Sequence, residues 1–188
     1  MITIMQERIE QLFAGGLTRR LEPAQPLFHV ADVVAFMYFV LQGQITLSRQ
    51  TENGATVILQ QAQSGQVLAE ASAFSSTYHC NAQATRATHV RAVPVNLFHN
   101  RLKQDANLSQ VWASYLASQV QSARMLAEIR TLRKVGDRLD AWLEQGRTMP
   151  PKGKWQELAS QLGVTREALY RELAGRRSIP TTLDSHIR

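Results

Sequence analysis

The sequence predicts an α+β protein: an N-terminal antiparallel β-roll of the jelly-roll kind, then a long helix, then a C-terminal pair of short helices. Three observations predict it. Short apolar stretches between residues 18 and 95 alternate with turn residues, and residues 107–134 contain neither Pro nor Gly. Residues 155–173 then form two helical segments with apolar faces on either side of Gly163. These divide the chain into a sensor-like roll (1–104), a dimerisation helix (105–134) and a C-terminal domain (135–188).

The strands come first. Residues 30–41 are a β-branched and aromatic run closed by Gln42-Gly43, and Ile45-Thr46-Leu47-Ser48-Arg49 alternates apolar and polar as a strand with one wet face should. Glu52-Asn53-Gly54 supplies a hairpin turn, because Asn-Gly tolerates positive φ. Thr56-Val57-Ile58-Leu59-Gln60 returns, Ser64-Gly65 turns again, and Thr88 through Pro94 is a final strand. Several short strands at turn-punctuated spacing indicate an antiparallel barrel or jelly roll.

The long helix has two apolar seams. One runs Leu108, Trp112, Tyr115, Gln119, Ser122, Leu126, Ile129, and the other Leu116, Val120, Ala123, Ala127. So broad a stripe must be buried. A helix that overhangs a small roll is best buried against a second copy, with Trp112, Tyr115, Leu116, Leu126 and Ile129 as the contact residues.

Composition narrows the function. The net charge is +6, and it is uneven: residues 1–104 have eight Lys/Arg against six Asp/Glu, residues 105–188 thirteen against nine. A basic C-terminal part favours polyanions. One cysteine, Cys80, excludes an internal disulfide and an iron–sulfur cluster ligated by four cysteines. The N-terminus lacks the basic-then-apolar pattern of a signal peptide, and the longest apolar run is far below the roughly 20 residues of a membrane helix. A soluble, cytoplasmic protein without membrane contact is expected. His29, His79, His89 and His99 lie ten or more residues apart. No His-x-His pair, G-x-S-x-G, H-E-x-x-H or phosphate-loop motif is present, so neither a metal site nor an enzyme is expected.

The C-terminal helices carry the chemistry. Leu158 and Leu162 face inward, Ala159 allows close helix approach, and Gly163 suits the turn. Thr165 is a competent N-cap for the second helix. At about 100° per residue, Ala168, Leu169 and Leu173 fall on one side of that helix and Arg166, Glu167, Tyr170 and Arg171 on the other. Arg forks onto guanine O6 and N7, and Glu accepts from cytosine N4. The alternative is a solvated face with a Glu167–Arg171 pair, on helices that dock a protein beneath a ligand- or redox-sensing roll.

Leu158-Ala159, Leu162-Gly163-Val164-Thr165-Arg166-Glu167, Tyr170-Arg171 and Leu173 together resemble the helix-turn-helix of the cyclic-AMP receptor protein/fumarate–nitrate regulator (Crp–Fnr) family. The stretch from Tyr38 to Ile45 resembles that family's β-roll signature, and that from Gly65 to Phe74 its phosphate-binding cassette. Val135-Gly136-Asp137-Arg138-Leu139 resembles the hinge after the dimerisation helix. The resemblance spans roughly residues 18–175. It implies a dimeric transcription regulator bound to double-stranded DNA, with RNA polymerase as a further candidate partner. Arg166, Glu167 and Arg171 would meet base edges. Thr165, Arg176 and Arg177 would hold phosphates, beside a wing that Gly175 and Pro180 leave shortened or absent.

The sensor half departs from the pattern. Glu70 matches the ribose-binding carboxylate of cyclic-nucleotide binders, but Cys80-Asn81 stand where an Arg-Ser pair holds the cyclic phosphate. Neither replaces a bidentate guanidinium, which argues against cyclic AMP. Haem ligation through His79-Cys80 and a thiol switch at Cys80 are weaker readings than a small buried thiol. No cofactor is expected.

Overall fold

The computed structural model describes residues 2–54 and 56–177. Two compact units, Met1–Ser118 and Gln119–Arg188, part within the long helix rather than at either of its ends.

The first unit opens with α1 (Ile2–Gln11) and holds eight strands: β1 (Leu17–Leu21), β2 (Pro26–Phe28), β3 (Phe36–Gln42), β4 (Gln44–Gln50), β5 (Thr56–Gln63), β6 (Val67–Leu68), β7 (Asn81–Ala84) and β8 (Thr88–Pro94). They form two four-stranded sheets, ordered β1-β8-β3-β6 and β2-β7-β4-β5, with every pairing antiparallel. One core serves both sheets: Met37 and Val40 from β3, Val90 and Val93 from β8, Ile45 and Leu47 from β4, Ala82 and Ala84 from β7. This is the roll that the turn-punctuated strands predict. The β4–β5 hairpin lies where Asn53-Gly54 places it, with Gly54 at φ 77°. Gly43, between β3 and β4, is at φ 93°, and a Cβ there would strike Thr88 Oγ1 and the Ala87 carbonyl oxygen. No other residue fits that corner.

One strand is shorter than expected. Residues 30–35 do not continue β3 toward the N-terminus. Ala31 takes φ 70°, the His29 N–H donates to Asp32 Oδ2 at 2.8 Å, and only a single bridge, Val33 to Thr77, remains. Val30 and Val33 are exposed, so their β-branching reflects local preference and not a buried strand.

Two helices follow the strands, α2 (Val95–Gln104) and α3 (Ala106–Thr131). Asp105 starts α3 by accepting the Asn107 and Leu108 N–H groups on Oδ1 at 2.8 and 3.1 Å. The expected dimer seam needs correction here. Trp112 and Tyr115 are buried in the roll's own core: Trp112 meets Phe98 edge-on at 5.1 Å and stacks on Tyr115 at 5.6 Å. The Tyr115 hydroxyl accepts the Val67 N–H at 3.2 Å. Ile129 is buried in the core of the second unit. Those three side chains are therefore unavailable to a partner. Leu116 and Leu126 are partly buried, and Val120, Ala123 and Ala127 of the other seam are exposed.

The second unit adds α4 (Val135–Leu143), a 3-10 turn (Lys152–Lys154), α5 (Trp155–Leu162) and α6 (Arg166–Arg177). Its core is Ile129, Leu139, Trp142, Trp155, Leu158, Ala159, Leu162 and Leu169. α6 runs through Gly175 to Arg177. The wing expected after it lies outside the described residues.

Candidate functional site

The turn between α5 and α6 is set by backbone chemistry. Gly163 is left-handed (φ 65°, ψ 39°), the Gly163 N–H reaches the Ser160 carbonyl at 3.2 Å, and the Val164 N–H reaches that of Ala159 at 3.0 Å. This closure satisfies carbonyls that a helix end leaves without partners. Two arginines complete it. Arg130 donates to the carbonyls of Gln161 (3.1 Å) and Ser160 (3.2 Å), and Arg138 to those of Leu162 and Gly163, both at 3.0 Å. A cation suits the negative end of the α5 dipole. Neither arginine was legible as a cap, since each lies more than twenty residues from the carbonyls it serves.

Thr165 caps α6 as its position predicts: Oγ1 accepts the Ala168 N–H at 3.1 Å. That bond uses an oxygen lone pair, so the hydroxyl hydrogen stays available for a phosphate oxygen. Leu169 is fully buried and seats the helix. Arg166, Glu167 and Arg171 are exposed together on the outer side, and among the described residues none is in a salt bridge. The Glu167–Arg171 pair of a merely solvated face is thus not formed.

Tyr170 and Arg176 differ from expectation. Tyr170 is half-buried, edge-on to Trp155 at 4.9 Å, and the Arg166 guanidinium carbon lies 5.1 Å from its ring centroid. It is a prop that orients Arg166 more than a free reading side chain. Arg176, expected at phosphates, is held within the domain. It pairs with Asp140 at 2.6 and 3.0 Å and Glu172 at 2.7 Å, and donates to the Gly136 carbonyl at 3.1 Å. These carboxylates hold its guanidinium well above the usual arginine range. Arg176→Ala should therefore lower thermal stability while leaving unchanged the salt dependence of binding to duplex DNA, the polyanion tested. A slope reduced by about one phosphate contact would return Arg176 to the interface. The side chain of Arg177 lies outside those described.

A groove was missed. Lys152, Gly153, Gln156, Arg166 and Tyr170 line a cleft of about 350 Å3. Met149-Pro150-Pro151-Lys152-Gly153 reads as a plain loop in sequence, and only Lys152 hints at a second cationic element beside Arg166.

In the roll, Glu70 opens a 3-10 turn (Glu70–Ser72) that follows Ala69 in left-handed backbone. Its carboxylate has Gln60 Nε2 at 3.3 Å, and burial pushes its pKa up. Burial likewise pushes the Cys80 thiol up, more than Arg49 draws it down. That opposes the acidified thiol a redox switch would use. Asn81 is engaged in structure, its Oδ1 accepting the Val30 N–H at 2.9 Å. Arg86 donates to Gln44 Oε1 at 2.8 Å. The guanidinium beside Cys80 is instead that of Arg49, on the His79 carbonyl.

Comparison with known proteins agrees with this two-part arrangement. A family model described as the cyclic nucleotide-binding domain matches residues 18–105. The global nitrogen regulator of Nostoc sp. (strain PCC 7120) is 25% identical over 168 residues, covering 81% of this chain and 74% of that protein. Among solved structures, the c-di-GMP-responsive global regulator CLP of Xanthomonas campestris superposes with a TM-score of 0.66 at 21% identity, covering 92% of this chain and 91% of that one. FixK2 of Bradyrhizobium japonicum gives 0.70 at 16% identity over 87% and 85%. The catabolite activator protein of Thermus thermophilus gives 0.55 at 21% over 91% and 83%.

Proposed function

We propose that this chain, whose roll matches the cyclic nucleotide-binding domain and whose relatives include transcription regulators of the Crp–Fnr kind, is a dimeric, sequence-specific DNA-binding protein that lays α6 in the major groove. The observation that carries this reading is the outer side of α6: Arg166, Glu167 and Arg171 exposed without salt-bridge partners, on a helix anchored by Leu169 and capped by Thr165. Arg171 forks onto a guanine, and Glu167 accepts from a cytosine amino group. The Thr165 hydroxyl and Lys152 meet flanking phosphates, and Arg166 stands between the two roles. In the dimer the partner covers Leu116, Val120, Ala123 and Ala127, a four-three-four spacing suited to a helix pair. RNA polymerase is the further partner such a regulator would meet. Cys80 and Asn81 in place of an Arg-Ser pair argue against cyclic AMP held in the family's manner, and neither haem nor a metal is part of the proposal.

The test is selection of duplexes from a random pool by the purified full chain without added ligand. The expected product is a near-palindrome whose half-sites lie about one helical turn apart, or a multiple of it. Affinity should fall steeply with salt as counterions are released. Enrichment of no sequence, or salt-independent binding, would overturn the reading.

A further inference from the structure

The outer side of α6 divides in two. At about 100° per residue, Arg166 and Tyr170 lie within about 40° of each other, and Glu167 and Arg171 make a second such pair farther round the helix. The two pairs have different surroundings. Glu167 and Arg171 are exposed, and neither lines the cleft beside α6. Arg166 and Tyr170 both line it, and Lys152, Gly153 and Gln156 supply the rest.

Aromatic packing holds Arg166 there. Trp155 is buried, its indole N–H donates to the Pro150 carbonyl at 3.0 Å, and its ring meets Tyr170 at 4.9 Å and 67°. Tyr170 lies one turn beyond Arg166, the spacing at which helix side chains touch. The Arg166 guanidinium carbon stands 5.1 Å from the Tyr170 ring centroid. An arginine that reads a guanine must extend from the helix into the groove. One drawn along the helix over its neighbour's ring does not extend. Contact with a ring uses none of the five N–H donors of a guanidinium, so they remain for an anion. The cleft lining has two cations, an amide and no carboxylate. Neither cation is in a salt bridge among the described residues. At about 350 Å3 the cleft has room for a phosphate group.

We propose that Arg166 does not read a base: with Lys152 it clamps one phosphate of the DNA backbone in this cleft, and Tyr170 is the positioning residue that holds it there. Base reading then falls to Glu167 and Arg171. The inference rests on the DNA-binding reading of α6. It reverses the base-edge role that the family resemblance implies for Arg166.

Competition binding of the full-length Arg166→Gln chain to the selected operator, its single-base variants and an unrelated duplex tests it. Every affinity should fall by a common factor of roughly ten or more, the scale of hydrogen bonds lost to a charged group. The salt slope should shrink by about one phosphate contact. Lys152→Gln should act in the same way, and the double variant should lose less than the product of the two, since both side chains hold one phosphate. Tyr170→Leu should cost about two- to fivefold on every duplex, the scale of an exposed cation–π contact, and Tyr170→Phe should recover that loss. Gly153→Asp brings a carboxylate to a position where a Cβ meets nothing within 4 Å, so it should weaken binding without lowering the unfolding midpoint. A loss in Arg166→Gln confined to one base pair overturns the clamp and returns Arg166 to the base edges. Losses that simply multiply in the double variant also overturn it. A wild type that binds no duplex takes the DNA reading down with the clamp, whereas a wild type that selects an operator leaves only the clamp at stake.

Discussion

Leu169→Ala is expected to destabilise the C-terminal unit by about 2–5 kcal/mol, the range for emptying a packed aliphatic site. Leu169 is the only side chain of α6 that is fully buried among those described; Leu173 and Tyr170 are partly so. Its neighbours Leu158, Ala159 and Leu162 come from α5, so the cavity would open at the contact that sets the angle of α6. A unit of this size has roughly 5–15 kcal/mol in all, so the loss is a large share. The unfolding midpoint followed by circular dichroism should fall by at least about 8 °C, and DNA affinity should fall with it. Leu169→Met should lose far less, because volume is kept. An unchanged midpoint in Leu169→Ala would mean that α6 is seated by other contacts.

Arg171→Ala acts without unfolding anything. Arg171 is exposed and has no salt bridge among the described residues, so the free protein should keep its stability. Binding to the selected operator should weaken by about 1–3 kcal/mol, and discrimination should collapse at one base pair of each half-site. Arg171→Lys should not restore it, since an ammonium lacks the planar fork that spans guanine O6 and N7. Competition binding on single-substituted operators decides the matter. Equal weakening on every sequence would assign Arg171 to a phosphate.

Between these two residues lies most of what was legible. Leu169 and Arg171 are two positions apart on one helix, and periodicity alone put them on opposite sides. The same local logic found the Thr165 cap, the Gly163 turn, the Asn53-Gly54 hairpin and the strand Thr88–Pro94. It failed where a local preference had a non-local outcome. Residues 30–35 have the composition of a strand but follow the turn made by His29 and Asp32. Trp112 and Tyr115 have the spacing of an interhelical seam, yet the roll supplies Phe98 and the Val67 N–H to cover them.

The sequence by itself determined the order of roll, long helix and helix pair, and the side of α6 that faces outward. Those follow from steric and periodic rules acting within a few residues. The tertiary structure alone decided which cations are available. Arg176 is held by Asp140, thirty-six residues away, and Arg130 and Arg138 close the end of α5. Arg166 and Arg171 stay exposed with no salt bridge among the described residues, and Arg49 spends one edge of its guanidinium on the His79 carbonyl. A charge is written in the sequence, but whether it is already neutralised depends on partners that only the folded chain brings within hydrogen-bonding distance.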